Sequence, residues 1–541
     1  MADRGGVGNL IRALFVGQLE EAAPLSDAGE VAAAPGNAEF LERLRKLTAA
    51  APPGPPPAAN GDGEQPGEGE QGGSFDHSSW RNLLPVVVTL VRLLWHLAMP
   101  YVCALLLGSR ALGFGPAWLS LAGAAFLGYL CVFDEQFALG FLGRRGRVAA
   151  GLHCRPSARN RALAEEVPAL RPPYYTGTSW LRTGDVRTLY PFLAFAHPGL
   201  PYLRRWLTVE AGPRGPGETQ NGGSGGGRGG GGGGSGIKAA APATECVALD
   251  IALPEGGLEG SGTFVLVLHG LNGGSSEPYV LDVTRAALAR GVGVCVLIAR
   301  GLMDTRVHGP ELFHGARTSD VKATVMALRE ALPADTRLGL VGFSMGGIIA
   351  ANYVAKEGEE AGVCGAVCMA GGLDTRVNKK FWHSRRLWLP VLAHTLKVNF
   401  VTPYLSRIRK RGLDLSRVER AWDVVDFDTE MVAKYHGYQD VDHYYRDMSA
   451  GAEGKLLGLH VPLLAVHALD DPIMTVECCS PQLVAQSDNL FVLITRHGGH
   501  VGWPLGWRPT RHKWSWMSNT ALDFCQAVAR LDGDPDGHSK S

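Results

Sequence analysis

The sequence lacks an excess of charge of either sign, because 52 basic residues balance 52 acidic residues. Proteins that bind DNA or RNA hold its phosphates with a surplus of Lys and Arg on one surface. The balance therefore gives no support for nucleic acid as a partner. A single Arg-Gly-Gly segment at Arg228, inside a glycine run, is too weak a signal to alter this interpretation.

The sequence also lacks the cysteine pattern of a disulfide framework or a metal site. Its ten cysteines are scattered along 541 residues, so reduced thiols are expected. Cys364 and Cys368 come nearest to a metal or redox spacing, but no histidine or second cysteine pair complements them. We interpret them as buried core thiols, like the adjacent Cys478 and Cys479. The sequence predicts neither a metal ion nor a cofactor.

Two segments lack the apolar periodicity that a packed core requires. Residues 1–80 are rich in Ala, Gly, Pro and Glu, which predicts a disordered N-terminal tail. Residues 211–242 contain a glycine run interrupted only by Arg228. Strand-like sequences at 206–209 and 247–251 flank this second segment, so we interpret it as a disordered insertion at a hairpin tip.

Long apolar runs are present in residues 84–133. Residues 84–107 are largely apolar, with Arg92 and His96 as the only ionisable residues before Tyr101, and residues 111–133 hold no charged side chain. A helix crosses a bilayer with roughly 20 residues, so the second run is the stronger candidate for a transmembrane helix. The first run is either a partner span or an interfacial helix. The alternative is a hydrophobic helical pair buried in protein.

A basic cluster, Arg144-Arg145-Gly146-Arg147, follows the second apolar run. Positive residues beside a span favour the cytosolic side of the membrane. The sequence therefore predicts a protein of the endoplasmic reticulum or plastid membrane, with the remaining domain on the cytosolic or stromal side.

From residue 263 onward, predicted strands alternate with predicted helices. This alternation indicates an α/β fold with a mostly parallel sheet and helices on both faces. Residues 374–458 interrupt it as a mostly helical insertion that carries Trp, Leu and many basic side chains. The predicted strands are residues 264–268, 292–299, 338–341, 365–369, 462–467 and 490–495.

The segment Gly342-Phe343-Ser344-Met345-Gly346 joins the end of a predicted strand to the start of a helix. A serine in such a sharp turn is exposed at the edge of the sheet, beside a helix N-terminus that favours developing negative charge. We therefore predict that Ser344 is a nucleophile. The alternative is a glycine-rich turn that serves packing only.

A nucleophilic serine needs a base, and in this arrangement an acid and then a histidine follow it along the chain. His500 is the predicted base, because adjacent glycines let its loop return over the serine; His497 is the competing histidine. Asp471 is the predicted acid, since Pro-Ile-Met follows it in the usual register. Asp470 remains the alternative acid.

A tetrahedral intermediate needs two hydrogen-bond donors. The backbone N–H of Met345, directly after the nucleophile, is the first predicted donor. The second is the N–H of Leu271, in the loop His269-Gly270-Leu271-Asn272-Gly273-Gly274 after the strand at 264–268. His269 could be mistaken for a second base, but we expect it to order this loop.

Together these motifs resemble the embryogenesis-associated group of α/β-hydrolases. This group includes the bacterial YheT-type esterases and the animal abhydrolase-domain proteins 1, 2 and 3. The resemblance spans residues 172–530. The motifs that carry it are, in order, WLRTGD at 180–185, HGLNGGS at 269–275, RG at 300–301, GFSMGG at 342–347, YYRDMS at 444–449, DDP at 470–472 and HGGHVG at 497–502.

The resemblance implies an α/β-hydrolase domain over residues 172–530 and esterase or lipase activity on acyl lipids. An N-terminal membrane anchor is common in eukaryotic members. We therefore expect a membrane-associated serine hydrolase of lipid or small carboxylic esters, using Ser344, Asp471 and His500. Two alternatives remain: an acyltransferase that passes the same acyl group to an alcohol, and a non-catalytic lipid-binding scaffold.

Overall fold

The computed structural model describes most of the chain. The predicted disordered residues 1–34, 51–79 and 211–242 lie outside the described part, as does most of the basic cluster at 144–147. The described residues are 35–50, 80–111, 117–133, 147–210, 244–258, 262–305 and 307–533.

A nine-stranded sheet lies at the centre of the described residues, in the order β1-β9-β8-β7-β6-β4-β5-β3-β2. Neighbours among β4 to β9 are parallel, whereas β1, β2 and β3 pair antiparallel at the two edges. The prediction of a mostly parallel sheet is confirmed. The strands are β1 (Gly151–His153), β2 (Leu203–Glu210), β3 (Thr244–Ala252), β4 (Thr263–Leu268), β5 (Gly293–Ile298), β6 (Arg337–Phe343), β7 (Gly365–Met369), β8 (Leu463–Ala468) and β9 (Leu490–Thr495).

The described helices lie on both faces of this sheet, in the N-terminal segment before it and in the insertion. They are α1 (Pro35–Leu47), α2 (Trp80–Ala111), α3 (Ala117–Phe133), α4 (Ala158–Glu166), α5 (Gly184–Ala194), α6 (Pro278–Leu288), α7 (Ser319–Ala331), α8 (Met345–Glu357), α9 (Trp382–Leu387), α10 (Leu389–Leu396), α11 (Leu405–Lys410), α12 (Leu415–Arg420), α13 (Val424–Phe427), α14 (Ala433–Tyr435), α15 (Val441–Met448) and α16 (Ser515–Gly533). Helices α9 to α15 belong to the predicted insertion at 374–458, between β7 and β8.

The strand sequences explain the two layers. In β4, Val265 and Val267 join one hydrophobic cluster, which includes α6 and α16. Phe264 and Leu266 join the other cluster, which includes α7 and α8. Side chains alternate between the faces of a strand, so a strand covered on both faces is apolar throughout.

Helix α1 lies inside the tail that the sequence predicts to be disordered. Phe40, Leu41 and Leu44 are at most 3% exposed, and the Phe40 ring lies 5.4 Å from that of Phe264 in β4. Ala49 then exchanges backbone hydrogen bonds with Trp206 of β2. The prediction is therefore wrong for residues 35–50. A short apolar helix face was hidden by the Ala, Gly and Pro content around it.

Helices α2 and α3 correspond to the two apolar runs and pack against each other. An added Cβ on Gly123 of α3 would lie only 3.7 Å from the Cys103 backbone of α2, and Trp95 contacts Phe126 edge to face. Over the residues that the structure describes, no helix combines the length and the apolar character of a membrane span. The predicted anchor is thus not established by these two helices.

The packing of α1 predicts that Phe40→Ala lowers the free energy of unfolding by about 3–5 kcal/mol, because it leaves a cavity beside Phe264. Urea unfolding of the full chain measures this loss. Glu42→Ala, at an exposed position of the same helix, is the control and should change stability by less than about 0.5 kcal/mol. Equal stability of the two variants would contradict the packing of α1.

Candidate active site

Ser344 occupies a strained turn between β6 and α8. Its φ of 52° and ψ of −117° are unusual for a residue with a side chain. An added Cβ on Gly342 would lie 2.1 Å from the carbonyl oxygen of Gly346. One on Gly346 would lie 2.2 Å from the carbonyl oxygen of Leu268. Both glycines are therefore needed for the approach of strand and helix that exposes the hydroxyl.

The structure brings the three predicted catalytic residues into one hydrogen-bonded chain. His500 Nε2 lies 2.8 Å from Ser344 Oγ, and His500 Nδ1 lies 2.8 Å from Asp471 Oδ2. The other oxygen of Asp471 accepts from the backbone N–H groups of Ile473 and Met474, both at 2.8 Å. Asp471 is fully buried and fixed, so it can orient the imidazole for proton transfer from the serine.

The two alternative residues lie beside this chain and make other contacts. Asp470 accepts from Arg187 at 2.7 Å and from the N–H groups of Gly498 and Gly499 at 2.8 and 2.9 Å. His497 lies 3.6 Å from Asp470 rather than beside Ser344. Burial acts to raise the pKa of Asp470, but Arg187, His497 and the Gly499 N–H hold it below its usual value.

Thr188 is a supporting residue that the sequence analysis did not identify. Its hydroxyl accepts from the His500 N–H at 2.8 Å and donates to the Gly184 carbonyl at 2.8 Å. An added Cβ on Gly184 would lie 1.6 Å from the Asp470 carbonyl oxygen. The motif at 180–185 therefore fits closely against both C-terminal loops. The place of this motif among the ordered motifs was the only sequence signal for a supporting role of this region.

The predicted oxyanion donors border the serine. Met345 begins α8, and Leu271 lines the same pocket as Ser344. Among the described residues, neither backbone N–H donates a hydrogen bond, so both remain available to a ligand. Tyr279 Oη accepts from the Gly270 N–H at 2.8 Å and holds the loop. His269 bonds the Gly270 carbonyl and the Ala299 N–H, which agrees with an ordering role.

The pocket at Ser344 encloses about 610 Å³, part of it open to solvent. Most of its lining is apolar, with Phe192, Trp388 and Ile473 among the side chains. Glu277 also lines it, and burial raises the pKa of this carboxyl to about 8. This group was not singled out from the sequence.

A second cavity begins at the predicted oxyanion donors and extends under the insertion. Its space of about 480 Å³ is partly open to solvent, and it shares Leu271 with the first pocket. Phe400, Phe427 and Met431 line it, so its character is mainly apolar. The two cavities thus flank the position where an ester carbonyl would meet Ser344.

The insertion is fixed to the core near the serine. Asp185 accepts hydrogen bonds from Trp388 Nε1 at 2.7 Å and from His383 Nε2 at 2.9 Å. Trp388 also packs against Leu93 of α2. Trp388 of the insertion therefore contacts Asp185 in the core and Leu93 of α2, and it also lines the pocket at Ser344.

A buried cluster beside the second cavity has the composition of a metal site. Ligand atoms of Glu311, His314 and His436 lie within 4.8 Å of one another. The Glu311 carboxylate already accepts from Arg317 and from His436 Nδ1. Burial and the nearby arginines lower the pKa of both imidazoles. Because a cation already pairs with the carboxylate, the cluster is better described as a polar network.

Comparison with known proteins agrees with the class of fold. Residues 263–503 match the family described as alpha/beta hydrolase fold. The chain therefore carries an α/β-hydrolase domain. Its curated relatives include lipases, phospholipases and esterases of the group that the motifs predicted, so that prediction is confirmed.

Three of these relatives show the extent of the likeness. "Monoacylglycerol lipase" of Saccharomyces cerevisiae is 29% identical over 44% of this chain and 54% of its own. "Phospholipase ABHD3" of Homo sapiens is 26% identical over 49% and 64%. "Putative esterase YheT" of Escherichia coli is 29% identical over 48% and 75%. The chain spans only part of the length of these relatives.

The ion pair behind the histidine loop yields a stability prediction. Arg187→Met leaves the Asp470 carboxylate buried without its cation, so the free energy of unfolding at pH 7 should fall by about 3–5 kcal/mol. Asp470 has a lowered pKa in the fold, so its stabilisation is present above its unfolded pKa and is lost as pH falls. The difference in the free energy of unfolding between Arg187→Met and wild type should therefore become smaller below about pH 3.9.

Urea unfolding across this pH range measures the effect. The control is Arg530→Met, which removes an exposed ion pair with Glu166 and should cost less than about 1 kcal/mol. If both variants lost the same small amount, the buried pair would not support the loop.

Proposed function

We propose that this protein is a serine hydrolase of carboxylic esters that acts on acyl lipids. The observation that carries the proposal is the hydrogen-bonded chain from Ser344 through His500 to Asp471, beside an apolar pocket. The names of the relatives, which include lipases and esterases, support it further.

In the first step, Ser344 Oγ attacks the ester carbonyl while His500 Nε2 accepts the hydroxyl proton. Asp471 holds the Nδ1–H and stabilises the imidazolium. The tetrahedral intermediate breaks to an acyl-serine, and His500 gives its proton to the leaving alcohol. Water then attacks the acyl-serine while His500 accepts a proton from it. The second tetrahedral intermediate breaks, His500 returns this proton to Ser344 Oγ, and the carboxylic acid leaves.

The N–H groups of Leu271 and Met345 stabilise the oxyanion of each tetrahedral intermediate. They need no reorganisation, because no other described residue accepts from them. Each such donor is worth about 3 kcal/mol of transition-state stabilisation. The cavity lined by Phe400, Phe427 and Met431 begins beside these donors and suits a hydrocarbon acyl chain.

The proposal includes a lipid surface as partner. One side of α2 carries apolar side chains that are 41–73% exposed and are spaced by three, four or, once, eight residues: Leu84, Val87, Val91, Leu94, Val102 and Leu105. Another side buries Val86 and Leu93 against the insertion. An exposed apolar stripe of this length is unfavourable in water and favourable in the interfacial region of a bilayer.

Replacement of the nucleophile tests the enzymatic proposal. Ser344→Ala should lower hydrolysis of a monoacylglycerol or nitrophenyl ester by at least about 10³-fold and abolish labelling by a fluorophosphonate probe. Ser384→Ala, a buried serine in the insertion, is the matched control and should keep both.

Undiminished hydrolysis by the Ser344→Ala protein would reject the proposal. An unlabelled and inactive wild-type protein would instead favour a lipid-binding scaffold. Glycerol added to the assay separates hydrolysis from acyl transfer, since only a transferase yields the new ester.

The stripe on α2 predicts reversible binding to lipid vesicles. Leu94→Gln with Leu105→Gln should reduce flotation with phosphatidylcholine vesicles by about tenfold or more, because each leucine contributes about 1.5–3 kcal/mol when buried. The matched control, Met326→Gln with Leu457→Gln, alters equally exposed apolar residues elsewhere and should leave flotation unchanged. Equal flotation of both double variants would remove α2 as the membrane contact.

A further inference from the structure

Glu277 is a buried carboxyl that the proposed reaction does not use. It is 5% exposed and lines the pocket together with Ser344. It precedes α6, but its side chain does not cap the helix. Among the residues that the structure describes, none is joined to this carboxyl by a hydrogen bond or an ion pair. A buried polar group without a partner is costly, so its place in a pocket points to a ligand.

The surroundings define what such a ligand offers. Burial raises the pKa of Glu277 to about 8, so the group is mostly a neutral carboxylic acid at pH 7. In that form it both donates and accepts a hydrogen bond. The nearby hydroxyls of Thr188 and Tyr279 already bond the backbone at His500 and Gly270. Glu277 is thus a lining side chain whose hydrogen-bonding capacity is unused.

The two cavities assign a side of the ester to Glu277. The cavity under the insertion is lined mainly by apolar side chains, among them Phe400, Phe427 and Met431, and this lining suits the acyl part of an ester. The carboxyl in its lining, Asp428, already accepts a hydrogen bond from Tyr445 Oη at 2.7 Å, so its burial is compensated without a ligand. Glu277 lies in the other pocket, across Leu271, where the alcohol part of the ester remains.

We propose that the Glu277 carboxyl binds a free hydroxyl on the alcohol part of the ester, so that the enzyme prefers partial esters of polyols to simple alkyl esters. A hydroxyl matches the neutral acid because it also both donates and accepts. A site built around such a bond discriminates strongly against an analogue that lacks the group. This inference rests on the proposed esterase function.

The test compares kcat/KM of the full-length protein for two esters of one acyl chain, 1-decanoylglycerol and ethyl decanoate. Wild type should prefer the glycerol ester. Glu277→Met, which is apolar and of similar size, should lower kcat/KM for the glycerol ester by about 5–100-fold and leave the ethyl ester within about threefold. Glu277→Gln keeps a donor and an acceptor and should retain most of the preference.

Three other outcomes of this comparison would overturn the proposed role of Glu277. Equal loss on both esters in Glu277→Met would make Glu277 a structural residue and overturn the inference, as would an unchanged ratio. Loss of the preference in Glu277→Gln as well, with decanoylcholine as the best substrate of wild type, would indicate recognition of a cation and also overturn it.

The activity of wild type distinguishes a failure of the proposed role of Glu277 from a failure of the proposed esterase function. Wild type that cleaves both esters without preference refutes only the role of Glu277. Wild type that cleaves neither ester and resists the fluorophosphonate probe refutes the esterase proposal itself. Thermal unfolding of both variants identifies any loss that is due to misfolding.

Discussion

The close approach of β6, α8 and β4 is the constraint on which the site depends. At Gly342 and Gly346, backbone atoms occupy the space where a Cβ would lie, within 2.2 Å of carbonyl oxygens. The chain can turn this sharply only because neither position has a side chain. Ser344 then takes up the strain at a positive φ. The same turn leaves the Met345 N–H at the start of a helix, so the proposed nucleophile and the proposed oxyanion donor have one structural origin.

The adjacent aspartates after β8 divide two tasks that a single carboxylate could not perform. Asp471 faces the His500 imidazole, while Asp470 faces Arg187 and the two glycine N–H groups of the histidine loop. Consecutive side chains point in different directions, so neighbouring residues can serve the imidazole and its loop separately. The position of the loop is therefore fixed from the same point of the sheet as the orientation of its imidazole.

The central strands, and the residues that lie together at the candidate site, could be predicted from the sequence for a physical reason. β4, β7 and β9 are buried on both faces, so each is a continuous apolar run and its bounds agree with the prediction to within a residue. The turn at Ser344 carries its glycines in sequence. Both signals are local, and a local signal survives without knowledge of the fold.

The supporting residues could not be found in this way, because their partners are distant in sequence. Arg187 meets Asp470 across 283 positions, and Thr188 meets His500 across 312. The sequence near Arg187 contains no pattern that indicates a buried carboxylate as its partner. Helix α1 was missed for the opposite reason, since average composition over a long tail concealed three apolar residues on one helix face.

Trp388 connects the proposed chemistry to the proposed lipid contact. Its indole N–H bonds Asp185 in the core, its ring packs against Leu93 of α2, and it lines the pocket of Ser344. Packed interiors transmit displacement because they contain little free volume. A shift of α2 against the insertion therefore alters the pocket wall, whereas the hydrogen bond to Asp185 limits how far it moves. The apolar stripe that would meet a membrane lies on this same helix, on a side other than the one that packs against Trp388.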